Sequence, residues 1–196
     1  MKKPFFRPDP SLVFLPLLFL RTKPWDLALF LFSVLLHELG HLLCIRLCGY
    51  KCQGLSFSLL GAKIRLSDPF IPYKKEIFIY LSGPLLNLFA CIPTLFLLRA
   101  HFTREGVFFF FCNILLALFN LLPLPGLDGE GALCALLSLF LTPDRRDEKM
   151  RKIRSLFLFL LFLFSLYLLF TAKNPSLFIL SLGLGENKQK KATKIS

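Results

Sequence analysis

The chain has 196 residues, of which 55% are hydrophobic and 24 are phenylalanine, and its mean hydropathy is +0.64. This composition excludes an ordinary soluble domain and predicts one compact membrane domain. The formal net charge of +12 does not indicate nucleic-acid binding. The basic residues lie in short segments between apolar runs rather than on one amphipathic face, which is typical of membrane orientation signals.

Apolar segments alternate with these basic segments along the whole chain. There are six, at residues 11–20, 27–45, 77–98, 107–141, 155–171 and 176–184. The first and last are short for a hydrocarbon core of about 30 Å, so we expect them to tilt or to use flanking residues. Residues 1–20 have the charge and apolar length of a signal peptide, but no small-residue cleavage site follows. We therefore predict a retained first span.

The distribution of Lys and Arg predicts how these segments cross the bilayer. With a cytoplasmic N-terminus, 19 of the 24 basic residues fall on the cytoplasmic side. The positive-inside rule then favours six spans with both termini cytoplasmic. We predict an all-α polytopic protein with one domain over residues 1–185, a core at 27–141, and a basic disordered tail at 186–196. The fourth segment must cross only once despite its length, so part of it must be non-helical or re-entrant.

The second segment contains His37, Glu38 and His41 in the pattern HExxH. On a helix, residues four apart lie on one face, so the two imidazoles can share one zinc ion. Glu38 follows the first histidine by about 100° around the axis, where it can act as general base on a water. The alternative is a buried polar cluster held by neighbouring helices. That alternative is costly, because each ionisable group would have to be desolvated and paired.

The fourth segment is interrupted by two prolines and two glycines within residues 123–129. Such a break at membrane depth is tolerated where it is covered by protein or lines a water-filled cavity. Asp128 lies in it, at about the depth of His41, and a catalytic zinc commonly has three protein ligands. We predict Asp128 as the third ligand. Two alternatives stay open: Glu130 competes for the role, and Asp128 can serve as an N-cap.

Three motifs together resemble the site-2 protease family of intramembrane zinc metalloproteases. They are HELGH at residues 37–41, SGPLLN at 82–87, and the stretch from Asn120 to Gly129 with its Asn-x-x-Pro and Leu-Asp-Gly elements. The similarity is greatest to the compact bacterial branch that includes the stage IV sporulation protein FB. One departure is Glu130, where this branch commonly has a second glycine; it can coordinate the metal, pair with a basic residue or face away.

The resemblance implies an intramembrane metalloendopeptidase with one zinc ion per chain. It implies that His37, His41 and Asp128 are zinc ligands, and that Glu38 is the catalytic acid/base. Asn87 and Asn120 are implied contacts to the substrate or the oxyanion, with interhelical hydrogen bonding as the alternative for Asn87. The expected substrate is a membrane-spanning or membrane-tethered protein, such as a transcription-factor precursor, cleaved near the cytoplasmic side of a bacterial cell membrane. Any regulation is expected to come from a membrane partner or from the membrane portion of the chain itself.

A small β-hairpin is predicted between the second and third spans. Residues 55–59 and 62–66 each alternate apolar with polar side chains on either side of a Leu-Gly pair. Its edge can pair with an unwound substrate segment, or the hairpin can rest on the membrane surface. The two interpretations stay open.

Two other functions are consistent with parts of the sequence. One is a catalytically silent relative that binds membrane proteins, which the intact HExxH motif argues against. The other is a zinc transporter or metal chaperone that uses Cys44 and Cys48, which continue the face of His37 and His41. More often such cysteines are small apolar fillers of a membrane helix. The buried charges cluster in the inner half of the predicted bilayer, which favours a site over a channel.

Overall fold

A computed structural model of the chain describes residues 6–8, 23–50, 52–58, 61–66 and 71–172. The predicted first span, last span and C-terminal tail lie outside these residues. The described part contains three short strands and five helices: β1 (Phe6–Pro8), α1 (Pro24–Leu47), β2 (Cys52–Ser58), β3 (Gly61–Leu66), α2 (Tyr73–Ala100), α3 (Arg104–Asn120), α4 (Asp128–Ser138) and α5 (Pro143–Ala172).

Among the described residues, α1 and α2 are long and apolar enough to cross a membrane. The 24 residues of α1 span about 36 Å. The helix begins at Pro24, has Asp26 in its first turn and Arg46 in its last, and these charges oppose the helix dipole favourably. The 28 residues of α2 include Pro84 and Pro93. Interior prolines are tolerated in membrane helices because neighbouring groups satisfy the freed backbone carbonyls.

The helices place apolar side chains outside and polar ones inside. Leu35, Phe89 and Phe96 are 63%, 62% and 65% exposed. The fully buried side chains, in contrast, include Ser33, Asn87 and Asn113. A soluble domain shows the opposite distribution, because water favours apolar cores. Apolar exposure on this scale is suited to lipid, and the polar interior is where a functional site is expected.

The fourth apolar segment is broken as its sequence requires. Helix α3 ends at Asn120, and α4 begins at Asp128. Between them, Gly126 has φ +90°, a left-handed conformation that glycine adopts without steric cost. Leu124 and Leu127 of this connection are buried against three residues of α5: Phe157, Leu158 and Leu161. The connection is therefore covered by protein at these two leucines. The basic residues before the predicted fifth span belong to the same helix as that span, because α5 already begins at Pro143.

The strands form one sheet in the order β1-β2-β3. Strands β2 and β3 are antiparallel, with Leu55 opposite Ile64, and they include most of the two segments predicted for the hairpin. Residues 59 and 60 between them lie outside the described part. Strand β1 pairs in parallel with β2, with Phe6 opposite Leu55. The prediction did not include this third strand, because three residues that contain Arg7 and Pro8 have no alternating pattern to detect.

Candidate metal centre

Helices α1 and α2 approach closely at two glycines, and this contact forms one wall of the centre. A Cβ atom on Gly40 would lie 2.5 Å from the Ser82 carbonyl oxygen. A Cβ on Gly83 would overlap the His41 imidazole, with its Cε1 at 2.7 Å and Cδ2 at 2.9 Å. Only glycine fits at either position without displacing a neighbour. The glycine of the SGPLLN motif therefore makes room for a histidine of the HELGH motif.

His37, His41 and Asp128 meet in the space behind this contact. The His37 Nε2 atom lies 2.9 Å from Asp128 Oδ2, and the His41 Nε2 atom lies 3.1 Å from the same oxygen. The two Nε2 atoms are 3.3 Å apart. Both histidines are buried, and Asp128 is largely so. The structure therefore brings together the three predicted ligands, although Asp128 is 91 residues from His37 in sequence.

A buried amide network determines the tautomer of His37. Asn87 Nδ2 donates to the Ser33 carbonyl oxygen at 3.0 Å, because this oxygen can only accept. Asn87 Oδ1 therefore faces His37 Nδ1 at 2.8 Å and accepts its hydrogen. Asn113 accepts the other Asn87 hydrogen at 2.7 Å and donates to the Ser33 hydroxyl at 3.0 Å. The network leaves His37 Nε2 with a lone pair directed at Asp128.

The backbone of α2 determines the tautomer of His41. Its Nδ1 atom donates to the Ile79 carbonyl oxygen at 2.7 Å, and this oxygen also accepts from the Ser82 hydroxyl at 2.6 Å. Because a carbonyl oxygen cannot donate, neutral His41 carries its hydrogen on Nδ1 and a lone pair on Nε2. Outer contacts of this kind commonly orient histidines that bind metals.

The donor set fits a zinc ion. Two imidazole lone pairs and one carboxylate oxygen converge, and such an arrangement of acceptors is stabilised by a cation. Tetrahedral zinc with bonds of about 2.0–2.1 Å places its ligand atoms about 3.3 Å apart, close to the separations seen here. Among the described residues, these three side chains are the group of His, Cys, Asp and Glu able to hold a metal. Cys44 and Cys48 are partly buried thiols outside that group.

Glu38 lies next to the metal-binding group in sequence, whereas Asp128 belongs to the group. Glu38 is buried and directly follows the first ligand in helix α1. Asp128 is the first residue of α4, whose N-cap is Leu127 and has no side-chain cap. The predicted alternative, in which Asp128 caps a helix starting at Gly129, is therefore not the observed arrangement, because its carboxylate is directed to the histidines.

The other candidate residues have separate partners. Glu130 pairs with Arg154 of α5 and accepts a hydrogen bond from the Gly126 backbone N–H at 2.9 Å. Of the roles left open for Glu130, pairing with a basic residue is the one observed. Asn120 donates to the Leu116 carbonyl oxygen of its own helix at 3.0 Å.

Sequence reasoning missed Ser33 and Asn113, which complete the network behind His37. Both side chains are fully buried in helices whose outer surfaces are apolar. A signal for Asn113 was present, since polar residues in membrane helices commonly face the protein interior. Ser33 carries a weaker signal, because serine can satisfy its hydroxyl on its own helix, as it does here through the Leu29 carbonyl oxygen at 3.0 Å.

The chain is similar to known proteins both in sequence and in fold. Residues 26–104 match the family model for peptidase family M50. The match includes both histidines, Glu38 and Asn87 but ends before Asp128. The fold is similar to that of a site-2 protease from Methanocaldococcus jannaschii, with a TM-score of 0.65 and 24% identity over 88% of this chain and 81% of that chain. No curated protein sequence matches the chain. The family match and the structural neighbour support a metalloprotease.

Proposed function

We propose that this protein is an intramembrane zinc metalloendopeptidase that cleaves membrane-spanning or membrane-tethered proteins near the cytoplasmic side of the bilayer. The observation that carries the proposal is the convergence of His37, His41 and Asp128 within 2.9–3.3 Å, beside Glu38, in a polar interior under an apolar exterior. Two histidines and a carboxylate are a common ligand set of catalytic zinc, in which a fourth position is kept for water or substrate.

The chemistry divides between the metal and Glu38. When bound, zinc supplies Lewis acidity that polarises a peptide carbonyl and lowers the pKa of a water molecule to about 7. The Glu38 carboxylate accepts the proton from the attacking water as the new C–O bond forms. It then delivers that proton to the amide nitrogen as the C–N bond breaks. The second proton of the water also passes to the leaving amine, so the products are a carboxylate and an ammonium group, and Glu38 returns to its starting state.

Asn87 contributes to this mechanism by positioning His37. Both of its amide hydrogens are donated to protein acceptors, Ser33 and Asn113, and its oxygen accepts from His37. With this side chain fully engaged, holding the His37 ring in its metal-facing orientation is the role its contacts favour. The predicted contact of Asn120 with the oxyanion or the substrate stays a prediction.

The proposal includes six spans with both termini in the cytoplasm, and it places the sheet on the cytoplasmic side. Strand β3 lies at an edge of this sheet and can pair there with an unwound substrate. A variant without native cysteines that carries Lys63→Cys in β3 tests both points. We expect an impermeant maleimide to label it only from the cytoplasmic side, and a bound substrate to slow labelling. Labelling from the outer side would contradict the topology, and labelling unaffected by substrate would contradict the pairing.

Metal removal tests the activity directly. We expect the purified full-length protein, reconstituted with a membrane-tethered reporter, to lose cleavage when 1,10-phenanthroline is added. Stoichiometric Zn²⁺ should restore it and Mg²⁺ should not, because Mg²⁺ prefers octahedral oxygen ligands. A non-chelating phenanthroline isomer is the matched control. Cleavage that survives complete removal of zinc would refute a metalloprotease.

A further inference from the structure

We propose that the Glu130–Arg154 ion pair positions Asp128 and so makes α5 part of the metal centre, although α5 supplies no ligand. The proposal rests on the proposed function, because it takes Asp128 to be a zinc ligand. It assigns a role to the residue at which this sequence departs from the pattern it resembles.

The Glu130 carboxylate closes a short ring of backbone around Asp128. One oxygen accepts from the Gly126 N–H at 2.9 Å, and the other accepts from Arg154 Nη2. Asp128 lies midway between Gly126 and Glu130 in sequence. Its backbone is therefore fixed on both sides by one side chain, which itself is anchored to another helix.

The environment of the pair makes it more than a surface contact. The side chains of Arg154 and Glu130 are 24% and 19% exposed. Exposed ion pairs contribute little, loss of one partner from a buried pair leaves an uncompensated charge, and this partly buried pair lies between the two cases. The next turn of α5 continues the contact, because Phe157 and Leu158 pack against Leu124 and Leu127. Residues three and four apart share a helix face, so Arg154 and these apolar residues form one surface that holds the connection.

The opposite side of α4 is also fixed. The Tyr80 ring of α2 occupies the space that a Cβ on Gly131 would need. Helix α4 therefore lies between α2, which holds His41 through Ile79, and α5, which holds Glu130. If α5 moved away from Glu130, the side of α4 that faces α5 would lose its anchor, and the side that faces α2 would keep its contact. We infer that the pair sets the distance between the carboxylate and the two imidazoles.

Zinc affinity is the readout, because it does not depend on finding a substrate. We expect Glu130→Gln and Arg154→Gln each to weaken zinc binding about 10-fold. This is the lower end of the roughly 10–100-fold cost of losing a group bonded directly to a metal ligand, because Glu130 holds the backbone beside Asp128 rather than its carboxylate. Affinity is measured by competition with a chromophoric chelator on the purified full-length protein. With Co²⁺ as the probe, both variants should also show an altered visible absorption spectrum. In a double-mutant cycle the two effects should not add, since both remove one interaction.

A second ion pair on α5 provides the matched control. Lys152 and Glu148 lie 2.7 Å apart with side chains that are 76% and 55% exposed. Glu148→Gln and Lys152→Gln should leave zinc affinity and the Co²⁺ spectrum unchanged. Equal losses in the Glu148 and Glu130 variants would overturn the proposal.

Two further outcomes are decisive. If the Glu130 and Arg154 variants lose thermal stability but keep wild-type zinc affinity, the pair is only structural and the proposal is wrong. If a single variant does not accumulate, Glu130→Gln with Arg154→Gln removes both charges and is measured in the same way. Weakened zinc binding in a protein that cleaves no substrate would refute the proposed function and leave the positioning role intact.

Discussion

Replacement of Glu38 by glutamine is expected to abolish peptide-bond hydrolysis and to leave zinc bound. The amide has nearly the same shape but cannot accept the proton of the attacking water, so we expect the cleavage rate to fall by about 10²–10⁴-fold. Because His37, His41 and Asp128 are unchanged, zinc content should equal that of the wild type. The assay follows a membrane-tethered reporter with the reconstituted full-length protein, and metal content is measured on the same samples.

Glu105→Gln is the control for this change, since Glu105 is exposed in the first turn of α3. It should cleave at the wild-type rate. Full activity in Glu38→Gln would exclude the general-base role, and loss of both zinc and activity would show that Glu38 supports the metal instead. The inactive variant also identifies substrates. A membrane-spanning or membrane-tethered protein that accumulates uncleaved only in membranes that carry Glu38→Gln would be a candidate substrate.

Local spacing accounts for the part of the site that could be predicted from sequence. His37, Glu38 and His41 lie within five residues of one helix, so helical geometry alone fixes their mutual positions. Asp128 required a longer argument from the helix break and membrane depth, and the structure places it with the histidines. Asn87 was named, but its partner was not, because 50 residues separate it from His37. Side-chain contacts across helices depend on packing that periodicity does not encode.

In the fold, too, features that depend on neighbouring residues could be predicted, and contacts between residues far apart in sequence could not. The break between α3 and α4 follows from prolines and glycines, which act on their own backbone. The parallel pairing of β1 with β2 joins residues about 50 positions apart through backbone hydrogen bonds, for which no side-chain pattern is needed. Glu130 illustrates the limit most clearly. Its sequence neighbourhood suggested a competitor for the third metal ligand, whereas its partner Arg154 lies 24 residues away on α5.

Asp128→Ala is expected to lose zinc and activity together, in contrast to Glu38→Gln. The change removes one of three proposed ligands, so zinc affinity should fall by more than the roughly 10–100-fold that loss of an outer-shell partner costs. The helix should persist, because the N-cap of α4 is Leu127 without a side-chain cap, and alanine is a good helix former.

Asp144→Ala is the matched control for this ligand, because Asp144 is an exposed carboxylate in the first turn of α5. It should keep zinc and activity. Asp128→Asn separates charge from shape: it retains an oxygen near both Nε2 atoms but lacks the negative charge, so its zinc affinity should lie between those of Asp128→Ala and the wild type. Wild-type zinc affinity in Asp128→Ala would show that another group completes the site. In that case the convergence of Asp128 with His37 and His41 would be a hydrogen-bonded cluster, and the third ligand would have to be sought among other carboxylates.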